Sequence, residues 1–167
     1  MKTHLLLVGV AFASAGLLVA GRTGSGDQQS PPAKQANTAS SRYIAVLERT
    51  HARAQRLFGK TVEPCLARRY ALCGKYGRPA RAAAQALLDE LEPFHPPVRA
   101  RTADRNLRDA FRALVAGQDL QRRAIEAHDD GLFSRSISDI TVAINEIDAA
   151  RVEINDVLPA VDLPAIH

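Results

Sequence analysis

The chain has 167 residues, of which 46% are hydrophobic and 24% charged, with a formal net charge of +4 and two cysteines. Beyond an N-terminal apolar run and a polar stretch, the part from Arg42 onward is long enough for one domain with a hydrophobic core and too short for two. Trp is absent, and no stretch alternates between polar and apolar residues with a period of two, which excludes a β-rich fold.

The first residues have the three-part layout of a secretory signal peptide. Lys2 gives a basic start, residues 5–20 form an apolar run, and small residues continue to Gly21. The run contains Gly and Ser and is shorter than the roughly 20 apolar residues that a membrane span needs. We therefore predict a signal peptide at residues 1–21, cleaved after Gly21, with residues 13–15 as an alternative cleavage signal. The protein is then secreted or extracytoplasmic, and membrane-associated if the segment is retained as an anchor.

Residues 22–41 consist mostly of Gly, Ser, Gln, Pro and Ala and contain no large apolar side chain. Such a segment cannot bury enough apolar surface to offset the entropy that it loses on ordering. We predict a disordered polar linker that separates the domain from a membrane or cell wall.

Four segments carry apolar side chains at spacings of three and four residues, which line one face of an α-helix. They cover residues 44–58, 80–91, 107–125 and 133–158. The second is expected to open at Pro79, where a helix needs no N–H group. The third starts at Val98 at the earliest and is expected to end at residues 129–131. Short turns between the helices favour an all-α, up-down-up-down four-helix bundle at residues 42–160, followed by a C-terminal tail at residues 161–167 that lies along the surface.

Cys65 and Cys73 lie between the first two predicted helices. On one continuous helix their Cα atoms would be about 12 Å apart, beyond the limit of about 7 Å for a disulfide. Pro64 before the pair and Gly74 after it indicate that the helix breaks here, and export to an oxidising compartment favours the bond. We predict a structural Cys65–Cys73 disulfide. A redox pair or a metal site of two thiolates is the alternative, although thioredoxin-like motifs have two residues between their cysteines rather than seven.

Residues 18–21 (Leu-Val-Ala-Gly) resemble the segment that precedes the lipidated cysteine of bacterial lipoproteins. In that family the next residue is Cys, whose thiol receives the lipid, whereas Arg22 stands here. The segment therefore resembles a lipoprotein signal that lacks the attachment point for its lipid, and an ordinary secretory signal ending in small residues is the simpler interpretation.

The rest of the chain resembles a group of actinobacterial exported helical proteins. These share a signal, a polar tether, a cysteine pair between the first two helices and a Leu-x-x-Leu-x-Pro-Pro-like turn. The residues that match this turn are Leu88, Leu91, Pro93, Pro96 and Pro97. The resemblance implies a helical fold and a location in the cell envelope, and it implies no activity.

His51 and Arg151 interrupt the apolar stripes of the first and fourth predicted helices. If these helices pack antiparallel with Arg42 level with Leu158, Arg151 lies opposite the turn that contains Glu48 and His51. An unpaired buried guanidinium is very costly. We therefore predict a buried polar layer in which Arg151 pairs with Glu48, and His51 stacks or forms a hydrogen bond beside them.

Two sets of His and carboxylate residues are candidates for metal ligands. Glu48 and His51 have the Glu-x-x-His spacing of di-iron bundles, which also need inward carboxylates that the apolar faces here lack. His128 and Asp130 form the second set, at a position that a polar helix exit explains more simply. We predict no bound metal or cofactor, and these four residues remain the candidates.

Charge is distributed unevenly along the domain. Residues 42–81 carry ten Lys or Arg, and residues 126–167 carry nine Asp or Glu, so the two parts attract each other where they pack. The remaining basic side chains form a predicted basic surface. It comprises Arg49, Arg53, Arg56, Lys60, Arg68, Arg69, Lys75, Arg78 and Arg81. Its expected partners are anionic lipid headgroups, anionic wall polymers or another protein. A solvated face without a partner is the alternative, and nucleic acid is disfavoured because no stacking aromatic residues accompany the charge.

The sequence shows no catalytic signature. No serine lies in a nucleophile-elbow context, and no glycine-rich phosphate-binding loop occurs. We therefore expect an exported, non-enzymatic helical-bundle protein of the cell envelope that acts as an interaction or structural module. A bundle that binds a metal or a small ligand through His51 and neighbouring carboxylates is the alternative, and an enzyme of unrecognised type is a third hypothesis.

Overall fold

Four α-helices make up the described part of the chain, which comprises residues 33–158 and 163–166 of a computed structural model. They are α1 (Ala33–Leu66), α2 (Tyr70–Leu91), α3 (Arg101–Ala127) and α4 (Asp130–Val157), and a 3₁₀ turn at Val98–Ala100 precedes α3. No strand occurs in these residues, and the predicted all-α four-helix bundle is confirmed. The predicted signal peptide at residues 1–21 lies outside the described residues.

Consecutive helices pack side by side in opposite directions. The turns from α1 to α2 and from α3 to α4 contain three and two residues, which is enough only for antiparallel neighbours. Side chains bridge each neighbouring pair of helices: Arg49 with Glu90, Arg81 with Asp119, and Asn106 with Glu153.

The core runs along the bundle axis and is built from one apolar face of each helix. Its large buried side chains include Leu47, Phe58, Leu87, Leu91, Leu107, Phe111, Leu114, Ile147 and Ile154. A smaller cluster surrounds the two cysteines and includes Ala124 and Phe133. α3 packs tightly against α4 at Gly117, where an added Cβ would be 2.9 Å from Ile140 Cγ1. Only glycine therefore fits there without a shift of Ile140.

The first helix begins at Ala33, so the domain boundary predicted at residue 42 lies within α1. Residues 33–41, predicted as part of the linker, are helical. Ala, Lys and Gln in this stretch have high helix propensity, and extending a helix that already exists avoids the cost of nucleation. The absence of large apolar side chains predicted disorder for this stretch. That composition carries no information on whether a neighbouring helix extends into it.

The second helix begins at Tyr70, and the prediction that it opens at Pro79 is wrong. Residues 70–78 are held by the disulfide of Cys73 and by the ring of Tyr70, which packs edge-on against Phe133 with 4.8 Å between ring centroids. These tertiary contacts outweigh the backbone hydrogen bond that Pro79 cannot donate.

Residues 129–131, predicted as the end of the third helix, begin the fourth. α3 ends at Ala127, and His128 follows with a left-handed φ of 54°. Asp129 is the N-cap of α4, because its Oδ1 accepts a hydrogen bond from the Leu132 N–H at 2.8 Å. A carboxylate at the N-cap accepts a hydrogen bond from a free N–H and is stabilised by the positive end of the helix dipole. The acidic residues therefore mark the start of a helix rather than the end of one.

Residues 163–166 pack between α1 and α4, and the prediction that the tail lies along the surface is wrong for this segment. Leu163 is 0% and Ile166 2% exposed, and both belong to the main core. The segment is neither helix nor strand, so its two apolar residues have no periodic pattern by which the sequence could indicate burial.

None of the described helices has a stretch that is both long and apolar enough to cross a bilayer.

The predicted disulfide between Cys65 and Cys73 is confirmed. The two Sγ atoms are 2.02 Å apart and the Cα atoms 4.8 Å apart. The helix break that this distance requires lies at residues 67–69, where Arg68 adopts a left-handed φ of 52°. The bond therefore connects the last turn of α1 to the first turn of α2.

Replacing both cysteines by Ala is expected to lower the free energy of unfolding by about 2.5 kcal/mol, from the loop-closure entropy of a bond with a sequence separation of 8. The fold should persist, because most of the core lies away from this end of the bundle. Chemical denaturation with and without reductant measures the effect. The Ala variant should not respond to reductant, and two titratable thiols in the native wild-type protein would contradict the bond.

Candidate binding site

His51 of α1 is fully buried, as predicted. Its ring packs edge-on against Phe111 of α3, with 6.2 Å between ring centroids. Neither ring nitrogen has a hydrogen-bond partner within the described part of the chain. Burial lowers the pKa of His51 to about 4, the charge of Arg151 acts in the same direction, and Asp148 opposes them. The imidazole is therefore neutral at physiological pH.

The predicted polar layer does not form as expected, because His51 makes no hydrogen bond within the described residues and Arg151 pairs with a different carboxylate. Arg151 Nε donates to Asp148 Oδ1 at 3.2 Å, and Arg151 Nη1 donates to the Leu163 carbonyl at 3.0 Å. The predicted pairing of Arg151 with Glu48 is therefore wrong. Asp148 is three residues from Arg151 on the same helix face, so this contact needs no second helix to be positioned. The predicted antiparallel register is supported, because Phe58 of α1 lines the same opening as Ile140 and Ile144 of α4.

The four candidate metal ligands lie in two separate parts of the fold. His51 is in the core beside Phe111, whereas His128 and Asp130 lie at the turn between α3 and α4. Asp130 is already engaged by the Arg68 guanidinium and the Tyr70 hydroxyl. Within residues 33–158 and 163–166, no three His, Cys, Asp or Glu side chains are placed together to hold a metal ion.

The predicted basic surface divides into paired and unpaired side chains. Four of its arginines form ion pairs with carboxylates: Arg49 with Glu90, Arg68 with Asp130, Arg69 with Glu63, and Arg81 with Asp119. Arg53, Arg56 and Lys60 are exposed on α1 and have no ion pair with the described residues. Lys75 and Arg78 of α2 also have no ion pair with the described residues, so internal pairing accounts for part of the charge and the unpaired remainder is divided between α1 and α2.

A crevice runs between α1 and α4, and residues 163–166 fill one part of it. Side chains of α4 hold the backbone of this segment. Asn155 Oδ1 accepts from the Leu163 N–H at 3.1 Å, and Asn155 Nδ2 donates to the Leu163 carbonyl at 3.3 Å. Two turns earlier on α4, Asp148 Oδ1 accepts from the Ile166 N–H at 3.3 Å.

The opposite wall of the crevice also contacts the segment. Gln55 Nε2 of α1 donates to the Ala165 carbonyl at 2.6 Å. Polar side chains on both helices therefore recognise the backbone of a non-helical segment, while its Leu163 and Ile166 side chains enter the core. The segment runs from the level of Asn155 towards that of Asp148, so it approaches the cysteine end of the bundle.

One turn further along both helices the crevice is open, and we call this part the open groove. It has a volume of about 130 Å³, close to the roughly 150 Å³ of an apolar cavity that takes up benzene. Gln118 and Gln121 of α3 contribute to its lining. Its aliphatic and aromatic lining residues are Phe58, Val62, Leu66, Ile137, Ile140 and Ile144. Leu66 is 67% exposed at the rim.

A second opening, the α2/α3 cavity, has a volume of about 240 Å³. Its apolar lining consists of Cys73 and Ile125 and of the backbone at two glycines, Gly74 and Gly77. Its charged lining residues are Arg78, Arg81, Arg122 and Glu126.

Two glutamines of α3 line both the open groove and the α2/α3 cavity. Gln118 and Gln121 are each 5% exposed, and Gln118 Oε1 has no hydrogen-bond partner in the described residues. A buried acceptor without a partner is costly. Both glutamines fall within the third predicted helical segment, residues 107–125, and the sequence indicated no role for them. These amides are the polar groups shared by the two candidate sites.

A buried polar network at the other end of the bundle escaped the sequence analysis. The Tyr43 hydroxyl donates to Asp104 Oδ1 at 2.7 Å, and Arg108 Nε donates to Asp104 Oδ2 at 2.7 Å. Arg108 Nη2 also donates to the Leu91 carbonyl at 3.0 Å. Burial and the charge of Asp104 raise the pKa of Tyr43. The available signal was the position of Asp104, three residues before Leu107 on the apolar stripe and four before an arginine.

No protein-family model, curated protein or solved structure matches the chain. A function must therefore be inferred from the geometry and chemistry of the open groove, the α2/α3 cavity and the exposed charges. For the open groove the structure itself indicates the kind of ligand, because residues 163–166 of the same chain fill the adjacent part of the crevice.

Proposed function

We propose that the protein is an exported, non-enzymatic interaction module of the cell envelope that binds an extended segment of a partner protein in the open groove. The Cys65–Cys73 bond supports an extracytoplasmic location, because disulfides persist in oxidising compartments. The observation that carries the proposal is the seating of residues 163–166 in the same crevice.

Residues 163–166 illustrate which ligand the crevice accepts. Two aliphatic side chains three residues apart are buried, and the backbone between them is bound by Gln55 of α1 and by polar side chains of α4. The open groove prolongs this arrangement by one turn of each helix. Peptide recognition of this kind takes its affinity from a few buried anchors. A partner segment with an aliphatic pair at the same spacing would place one anchor in the groove.

The lining of the groove favours a protein segment over an anionic lipid or wall polymer. Such polymers are held by basic side chains, and no Lys or Arg lines the groove. Arg56 and Lys60 lie two residues from Phe58 and Val62, which places them about 200° around α1 from the groove-lining positions. The basic side chains and the groove therefore face different sides of the helix.

Selection of peptides from a random display library on the immobilised protein is expected to enrich sequences with aliphatic residues at i and i+3. Leu66→Lys should weaken the selected peptides by roughly 30-fold, as expected for a charge placed at an anchor site. Lysine suits this position because it lies in the last turn of α1, where cations are favourable. Fluorescence anisotropy of a labelled peptide measures the affinity.

The matched control is Val98→Lys, since Val98 is 75% exposed and does not line the groove. It should leave the peptide affinity unchanged. Equal losses in both variants, or enriched peptides without an aliphatic pair, would refute the groove as the binding site. Binding to anionic vesicles alone, lost when Arg53, Arg56 and Lys60 are neutralised, would assign the interaction to the basic side chains of α1 instead.

A further inference from the structure

Two glycines in α2 keep the α2/α3 cavity open, although the backbone does not require glycine at either position. Glycine is the least favourable residue in a helix interior after proline. An added Cβ at Gly74 would lie 3.9 Å from Ile125 Cδ1, and at Gly77 it would lie 3.7 Å from Gln121 Oε1, both ordinary contact distances. Gly117 differs, because a Cβ there would clash with Ile140. Gly74 and Gly77 therefore leave space rather than relieve a clash.

The wall that the cavity shares with the open groove contains an unsatisfied acceptor. Gln118 lines the cavity, is 95% buried, and has an Oε1 without a hydrogen-bond partner in the described residues. Inside a protein such an acceptor is normally paired. Gln118 Oε1 has less than 1 Å² of exposed surface, so a ligand that carries a hydroxyl or N–H donor would satisfy it once the amide turns towards the cavity.

Charge at the cavity selects for an anion. Arg81 is held by Asp119 through two hydrogen bonds of 2.8 and 2.9 Å, and Arg122 is held by Glu126. Arg78 has no carboxylate partner among the described residues, and its Nε donates only to the Gly74 carbonyl at 3.4 Å. Its planar guanidinium is therefore available to bind a carboxylate with two parallel hydrogen bonds.

We propose that the α2/α3 cavity binds a small aromatic carboxylate that carries a hydroxyl group. The ring lies against the flat backbone surface at Gly74 and Gly77 and against Ile125, the hydroxyl donates to Gln118 Oε1, and the carboxylate meets Arg78. The volume of about 240 Å³ exceeds the roughly 150 Å³ that takes up benzene, so it accommodates one substituted ring. This site shares Gln118 and Gln121 with the open groove, but its other lining residues and its ligand differ, and it does not rest on the partner-binding function proposed for the groove.

The test uses three related probes on the full chain, titrated by NMR: 4-hydroxyphenylacetate, phenylacetate, which lacks the donor, and 2-(4-hydroxyphenyl)ethanol, which lacks the anion. The first should bind saturably and shift the amide signals of Gly74 and Gly77. Removing the hydroxyl should weaken binding by about threefold to tenfold, the usual effect of one hydrogen bond. Gln118→Leu should abolish the difference between the two carboxylates, and Arg78→Gln should weaken both of them but not the alcohol.

Filling the cavity gives the decisive variant. Gly74→Ala with Gly77→Ala should raise the melting temperature by roughly 3 °C per substitution, because alanine is the better helix former, and should weaken 4-hydroxyphenylacetate by about tenfold or more through loss of space. Gly117→Ala, the control, should lower the melting temperature. Leu66→Lys should leave the binding of the probe unchanged, so a failure of this site is distinguishable from a failure of the groove.

Three results would overturn the proposal. The first is the absence of saturable binding of 4-hydroxyphenylacetate to the wild-type protein. The second is equal binding of all three probes, which would show that neither Gln118 nor Arg78 contributes. The third is a Gly74→Ala, Gly77→Ala variant that retains binding or loses stability, since the glycines would then not serve to keep the cavity open.

Discussion

Asp104→Ala is expected to lower the free energy of unfolding by about 3 kcal/mol, because it leaves the partly buried guanidinium of Arg108 without its carboxylate. Asp104 is 5% exposed and also accepts the hydrogen bond of the Tyr43 hydroxyl. Its removal therefore takes away the carboxylate to which both Tyr43 of α1 and Arg108 of α3 donate. Urea denaturation followed by circular dichroism measures the change.

The network can be separated from a simple loss of packing by a double-mutant cycle. Asp104→Ala combined with Arg108→Ala should be clearly less damaging than the sum of the single changes, since the double variant leaves no unpaired charge. The control is Asp109→Ala, which removes the ion pair between Asp109 and Arg112 on the exposed face of α3. These two residues are three apart, similar to the spacing of four between Asp104 and Arg108. Its effect should stay below about 1 kcal/mol. Strict additivity in the cycle would show that Asp104 and Arg108 do not act together.

Acidification from pH 7 to pH 4 is expected to destabilise the fold by about 3 kcal/mol through His51 alone, from a pKa of about 4 in the folded protein against 6.5 for an exposed imidazole. The folded pKa is depressed, so below pH 6.5 the unfolded chain binds a proton that the folded protein does not. Stability therefore falls from about pH 6.5 to about pH 4 and changes no further through this residue at lower pH. Unfolding free energies measured across this range test the expectation.

His51→Leu is the diagnostic variant, because neither ring nitrogen has a hydrogen bond to lose in the described residues. At pH 7 its stability should remain within about 1.5 kcal/mol of wild type, as for other swaps of similar volume, and the slope between pH 4 and 6.5 should disappear. His95→Gln, at an exposed position, should keep the slope. The Arg81 guanidinium lowers the pKa of Asp119, so the stability of that pair is lost only at more acidic pH. A His51→Leu variant with an unchanged slope would assign the acid sensitivity to other groups.

The features that could be predicted from the sequence depend on local pattern. Apolar spacing of three and four residues identified segments of all four helices, and the prolines and glycines around the cysteines indicated the break that the disulfide requires. The proximity of His51 and Arg151 followed from the length and antiparallel order of the first and last helices. The carboxylate that pairs with Arg151 did not follow, because the helix register pointed to Glu48 of α1 whereas the partner is Asp148, three residues before Arg151 on the same helix.

Helix ends were less predictable than helix positions. Pro79 was interpreted as a first helical residue, yet α2 passes through it since the disulfide and the Tyr70–Phe133 contact hold the preceding residues in place. Asp129 was interpreted as part of a helix exit, whereas its side chain caps the following helix. In both cases the sequence alone could not decide where the helix begins, because contacts with a neighbouring element determine it.

The sequence by itself determined the all-α class, the number of helices and the cysteine bond, because each depends on contacts between residues close along the chain. Only the tertiary structure decided which features form sites. The open groove lies between α1 and α4 beyond the segment of residues 163–166, and the α2/α3 cavity exists because two glycines of α2 face Ile125 and Gln121 of α3. Both sites are formed by residues far apart in sequence. Periodicity along the chain does not reveal which residues of different helices come together when the helices pack.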